Sequence, residues 1–338
     1  MGDISNRELL TAPIALTGTM LLVAVITSGI ANIDSSVLIW PYLSASLAVT
    51  LICLLCSIFW WVVQLARKRA DAPVETIMTI VRGRMTLLLL PGVVSPLFLI
   101  GYTTSKTAIP FLVGYGWDRF WADADALIFG ADAWRIAHAW LGSRSMPIWE
   151  LFYTVGWGTV FFFASTLIAI HAPRRNVAIY FTAMLSTWLI GGWLIAYLFS
   201  AAGPVFAHMF DASLTDRFGG LRQVLEVNLS QEGAIRQTQH YLVAAVDEHV
   251  AVKGGGISAM PSMHLGAASI YVLAAWRTGW IVPASLFWIV IFVGSGYFGY
   301  HYWVDGLVAA AVAYGCWRAS TAFHSLRTAA PREAVSIA

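Results

Sequence analysis

The sequence predicts an all-α polytopic membrane protein of about eight transmembrane helices, two N-terminal helices followed by a six-helix core. Three observations carry that expectation. Of the 338 residues, 59% are hydrophobic and 11% charged, with a mean hydropathy of +0.71, whereas a soluble domain carries about 25% charge. Eight apolar stretches approach the roughly 20 residues that a helix needs to cross the hydrocarbon layer. Clusters of Arg and Lys recur at alternate ends of those stretches. The 16 Trp, 12 Tyr and 18 Phe provide rings for the two membrane interfaces. A formal charge of +2, with the basic residues in short clusters between apolar runs, excludes a nucleic-acid footprint, so no nucleic-acid partner is expected.

The apolar stretches run over 11–31, 37–66, 85–104, 147–171, 177–202, 261–277, 280–300 and 302–320. Asp3, Arg7 and Glu8 precede the first, and no small-residue cleavage site follows it, so it reads as a retained helix rather than a signal peptide. Cys53 and Cys56 in the second and Cys316 in the last lie within apolar sequence and read as small hydrophobes. The even-numbered stretches end at Arg67-Lys68-Arg69, Arg174-Arg175, Arg277 and Arg318. The positive-inside rule makes that side cytoplasmic and places both termini there. Segments 105–146 and 203–260 then lie outside. In the first, Pro110, Gly114 and Gly116 break the apolar run, and Trp117, Trp121, Trp134 and Trp140 suggest short interfacial helices. In the second, Ile235, Leu242, Val243 and Val246 fall near one face of a helix over 233–250, with Arg236, Gln239, Asp247 and Glu248 left to water. The expected division is an N-terminal segment 1–84, a core 85–320 and a cytoplasmic tail 321–338.

Chemistry-bearing residues concentrate in two places. Gly254-Gly255-Gly256 leads through Pro261-Ser262-Met263-His264 into the sixth span. Proline favours the first helical turn, so His264 is expected in the first turn of a membrane helix, at its outer end. Free N–H groups and the positive end of the helix dipole make such a terminus an anion site, and glycines let backbone approach a ligand closely. The second cluster is Tyr300-His301-Tyr302-Trp303-Val304-Asp305-Gly306, between the last two spans. His301 and Asp305 are four apart and, on a helix, would share a face. A carboxylate on one ring nitrogen raises the basicity of the other and stabilises the imidazolium. The topology brings His264, His301 and Asp305 to one outer level, where ionisable groups usually mark function.

G-G-G-I-S-A-M-P-S-M-H (254–264) and G-S-G-Y-F-G-Y-H-Y-W-V-D-G (294–306) resemble the second and third signature motifs of the type 2 phosphatidic acid phosphatase (PAP2) superfamily. Within it, the wording is most similar to the branch of inositol phosphorylceramide synthases and their bacterial relatives. The resemblance implies a two-step phosphoryl or phosphodiester transfer. His301 would attack phosphorus to give a phosphohistidine, Asp305 would orient it, and His264 would protonate the leaving oxygen and deprotonate the acceptor. Ser262 would donate to a phosphate oxygen, with Gly255, Gly256 and Lys106 as further substrate-binding residues. The implied partners are a phospholipid donor and a lipid acceptor such as ceramide, with no metal and no cofactor.

The sequence also departs from the wider superfamily. The Lys-(six residues)-Arg-Pro first motif is missing, and the Arg expected six residues before the nucleophilic histidine is Ser295. Lys106, then Arg119, are the nearest replacements by location. A phosphomonoester approaches charge −2 at neutral pH and a diester carries −1, so the departures favour a headgroup transferase over a lipid phosphatase. A transporter or scaffold, the rival class, would place its polar residues near the midplane of interrupted helices. Asp118, Asp123, Asp125 and Asp132 precede or flank Leu127-Ile128-Phe129-Gly130, a pattern loosely similar to one in the same branch, but they read first as solvated loop charges. Glu150 reads as a dipole-favoured acid at the start of its own helix.

Overall fold

The computed structural model describes residues 4–329, and among them the regular secondary structure is helical apart from an isolated bridge between Asp34 and Val250. Asp3 and residues 330–338 of the expected tail lie outside the described residues. The helices are α1 (Asn6–Ala31), α2 (Ser36–Arg67), α3 (Pro73–Leu112), α4 (Asp118–Phe129), α5 (Ala133–Leu141), α6 (Ser143–His171), α7 (Arg174–Leu198), α8 (Thr215–Asn228), α9 (Ala234–Asp247), α10 (Met263–Ala275), α11 (Ile281–Tyr297) and α12 (Trp303–Ala329). Five of them, α1, α2, α3, α6 and α7, are long and apolar enough to cross a membrane. The apolar α10 and α11 are shorter, at 13 and 17 residues. The protein is an integral membrane protein of the all-helical class.

Local chemistry explains the element boundaries. The Ser5 hydroxyl accepts the Glu8 N–H at 3.2 Å while the Glu8 carboxylate accepts the Ser5 N–H at 2.8 Å, a reciprocal cap that starts α1. Asn32, at φ 53°, ends it in the left-handed conformation that asparagine tolerates. The third apolar element is longer than the expected 85–104: it begins at Pro73 and continues to Leu112. Pro91 has no N–H to give the helical ladder, and the backbone widens into a π-turn over Leu90–Val94 rather than breaking. That continuity carries Lys106 to the far end of α3. Gly101 lets α3 lie on the α1 backbone, since a Cβ there would sit 3.0 Å from the Met20 carbonyl oxygen. Pro261 does not lie in the first turn of α10 as expected; Ser262 is the N-cap and the helix begins at Met263.

Two layers of core result. One cluster joins α1, α2, α3, α7 and α10 through residues such as Leu9, Met20, Phe98, Tyr180 and Ile270. The second joins segments 105–146 and 203–260 to the ends of α11 and α12 through Trp134, Phe218, Leu221, Tyr297, Phe298 and Trp303. The short helices expected within 105–146 are α4 and α5, and the amphipathic helix expected over 233–250 is α9. α8 was not foreseen, because only Phe218, Leu221 and Leu225 of its fourteen residues are buried and its sequence carries no strong apolar period.

Candidate active site

The two histidines that are 37 residues apart in sequence meet at one place. His264 stands in the first turn of α10, its ring 4.2 Å from Trp157 and 5.4 Å from Tyr153, centroid to centroid. Its ring centroid is 5.9 Å from that of His301. His301 is buried and belongs to no helix, which corrects the expectation of a shared helical face with Asp305. The cause is Gly299, whose φ of +68° turns the chain out of α11. It also packs on Leu221 so closely that any Cβ would collide with that side chain. The turn frees the chain to present the His301 ring to the Ala259 carbonyl oxygen, 2.7 Å from Nδ1. A carbonyl only accepts, so neutral His301 carries its proton on Nδ1 and keeps the Nε2 lone pair available.

Asp305 serves a different hydrogen bond from the one foreseen. Its Oδ2 accepts the Tyr302 N–H at 2.9 Å, as an N3 carboxylate does for an N-cap, and so starts α12. The same oxygen is 3.6 Å from His301 Nδ1, too far for a hydrogen bond but close enough for its charge to favour an imidazolium. The Asp305 carbonyl accepts the Ser262 N–H at 3.2 Å, which ties the start of α10 to the start of α12. Ser262 does not cap its helix with its side chain. Its Oγ, Tyr153 Oη and Asp305 Oδ1 are all buried without a hydrogen-bond partner, a state costly enough that polar atoms rarely keep it unless something else meets them.

The glycine triplet holds Lys106 in place. Gly254 and Gly256 have φ of +68° and +84°. A Cβ on Gly256 would come within 2.8 Å of Lys106 Cγ and 2.9 Å of its carbonyl carbon, and one on Gly255 would collide with Val252. The Gly254 N–H donates to Tyr42 Oη at 2.8 Å, which anchors the triplet to α2. Lys106 lies near enough to His264 and His301 for its charge to act on both. Arg119 is exposed and lies toward Asp211 instead. Ser295 is fully buried and its hydroxyl donates to its own helix at the Phe292 carbonyl, so position 295 offers nothing to a ligand.

α4 is the part of the site that sequence reasoning missed. Asp118 is not a solvated charge: it is 2% exposed and accepts the Ala202 and Gly203 N–H groups at 2.8 Å each and the Tyr302 hydroxyl at 2.9 Å. Asp125 is 1% exposed and accepts the Val304 N–H at 3.0 Å and the Ala133 N–H at 3.1 Å, capping α12 and α5 together. Burial pushes its carboxyl up to about 6, against the two N–H groups that favour the charged form. Asp132 and Asp123 both pair with Arg217. Of the four, Asp123 alone is exposed as expected. Glu150 does not serve its own helix; its Oε1 accepts the Ile235 N–H at 2.8 Å in the first turn of α9. We expect Asp125→Asn to lower the melting temperature and activity together, because the amide turns a donor toward one of two N–H groups. The stability loss should be about 1.5–3 kcal/mol, the value of a hydrogen bond to a charged group, read by thermal denaturation in detergent.

Comparison with known families puts a name to this arrangement. A model described as the PAP2 superfamily matches residues 131–319, more than half of the chain and including both histidine motifs. Searches of curated proteins and of solved structures gave no match.

Proposed function

Because the chain belongs to the PAP2 superfamily, whose membership suggests phosphatase or phosphotransferase chemistry on lipids, we propose that it moves a phosphate-linked headgroup from a glycerophospholipid to a lipid hydroxyl. The one observation that carries this reading is the facing pair His264 and His301, with His301 held by Ala259 so that Nε2 is free. In the first step Nε2 attacks phosphorus and the bond from phosphorus to the glyceride oxygen breaks. His264 delivers a proton to that oxygen, releasing diacylglycerol. In the second, the acceptor oxygen attacks the phosphohistidine, His264 takes its proton and the N–P bond breaks. Asp305 stabilises the imidazolium through space. Ser262 and Tyr153, whose hydroxyls lack partners, are suited to donate to the phosphate oxygens, and Lys106 offsets the negative charge. The body that does this is residues 85–320, with 1–84 ahead of it.

Inositol phosphate is the donor headgroup proposed and ceramide the acceptor. The test supplies purified protein with headgroup-labelled phosphatidylinositol, with and without ceramide. Transfer of label to ceramide with equimolar diacylglycerol is expected. Label released only to water as inositol phosphate makes the enzyme a hydrolase.

The reading also sets a side. Eight spans with cytoplasmic termini put the histidines on the extracytoplasmic face. With Cys56 replaced by alanine and the other two cysteines buried, Gln231→Cys in intact cells should react with an impermeant maleimide and Asn176→Cys should not. The opposite pattern places the site in the cytoplasm.

A further inference from the structure

A second polar chamber, lined by neither His264 nor His301, lies between α8, α9 and segment 205–209, with a volume of about 500 Å³. Its walls carry Arg222, Arg236, His208 and Gln239 as donors and Glu226 and Asp247 as acceptors. Among the described residues, none of these four charges has an ion-pair partner within 4.0 Å. Each of the four donor side chains also keeps a buried nitrogen with no hydrogen-bond partner: Arg222 Nη1, Arg236 Nε, His208 Nδ1 and Gln239 Nε2. Four unmet donors in the wall of one cavity leave a polar demand that a ligand would fill once these side chains turn into it, since an unmet buried donor forfeits its hydration. The protein bonds they do make are to backbone: Arg222 to the Thr215 carbonyl at 3.0 Å, and Arg236 to the Glu226 and Leu229 carbonyls at the turn between α8 and α9.

Two guanidiniums match the planar, bidentate demand of a phosphate. Two carboxylates in the same chamber would repel a bare anion, yet they accept hydrogen bonds from hydroxyls. We propose that the chamber binds a phosphorylated polyol, with Arg222 and Arg236 on the phosphate, Glu226 and Asp247 on hydroxyl protons, and Gln239 and His208 completing the set. Neither His264 nor His301 lines this site, although its Val205 and Phe206 touch Gly299 and Tyr300, and its occupancy does not depend on the transfer chemistry.

The experiment is calorimetric titration of full-length protein in phosphatidylcholine nanodiscs with sn-glycerol 3-phosphate, free glycerol and inorganic phosphate. Glycerol 3-phosphate should bind saturably and more tightly than either of the others. His301→Ala should leave its Kd unchanged, which separates this site from the proposed active site even if the transfer reading fails. Arg222→Gln should raise Kd at least about tenfold, the weight of one charge-assisted hydrogen bond. Gln239→Leu, which touches no backbone, should raise it by a smaller factor and guards against a folding defect in the arginine variant. Repeating the titration in nanodiscs containing phosphatidylglycerol distinguishes sources: a weakened apparent affinity assigns the chamber to a lipid headgroup, and an unchanged one to a soluble ligand. Absence of saturable binding, equal affinity in both chamber variants, or loss of binding in His301→Ala overturns the proposal.

Discussion

His301→Ala should remove turnover by a factor of at least about 10³, the range seen when a nucleophile or its general base is lost, while leaving the protein folded. The ring makes one side-chain hydrogen bond, to the Ala259 carbonyl. Its backbone N–H bond to Ser295 at 3.3 Å survives the substitution. His264→Ala should be nearly as damaging, because one group serves as acid in the first step and base in the second. It should cost little stability, since the ring rests against Trp157 and Tyr153 without a hydrogen bond. Asp305→Asn is a different experiment. It removes the charge 3.6 Å from Nδ1 but also disturbs the Tyr302 N–H bond that starts α12. Its loss of kcat should therefore come with a lower melting temperature, as should that of His301→Ala, which leaves the buried Ala259 carbonyl unmet, whereas His264→Ala should stay close to the wild-type value.

The second large effect is on substrate charge. Lys106 acts electrostatically on both histidines, Arg119 points elsewhere, and Ser295 occupies the position where the phosphatases carry arginine. One lysine, a helix N-terminus and two neutral hydroxyls suit a phosphodiester at −1 better than a monoester near −2. Leaving a charge unbalanced in a partly desolvated site costs about 1–3 kcal/mol. At 1.36 kcal/mol per decade, kcat/KM should then favour phosphatidylinositol over phosphatidic acid at least about tenfold. Lys106→Gln should lower activity on both lipids. Side-by-side kinetics on the two lipids in one detergent decide the matter, and faster release of inorganic phosphate from phosphatidic acid would reverse the assignment.

The two histidine motifs were legible because their wording is local: a glycine triplet before Pro-Ser-x-His, and His-Tyr-Trp-Val-Asp. Hydropathy alone ordered the apolar helices, since a membrane imposes a length on each. The relation between His301 and Asp305 was not legible. A four-residue spacing implies a shared face only inside a helix, and Gly299 ends α11 before His301 is reached. Nor was the role of α4. Asp118 and Asp125 resemble solvated acids in sequence, because what buries them is Tyr302, Val304, Ala202 and Ala133, brought from up to 184 residues away. Tyr153 was hidden for the same reason: it sits among aromatic residues of α6, and its unpartnered hydroxyl becomes visible only beside His264.

The central claim is that His301 carries the headgroup covalently. Rapid acid-free quenching of wild-type protein mixed with lipid labelled at phosphorus, followed by gel separation and treatment at low pH, tests it directly. The account predicts acid-labile, base-stable label on the wild-type chain, released by an added lipid alcohol and absent from His301→Ala. Wild-type levels of bound label in His301→Ala, or turnover of the wild-type enzyme with no labelled protein at any time, would contradict it.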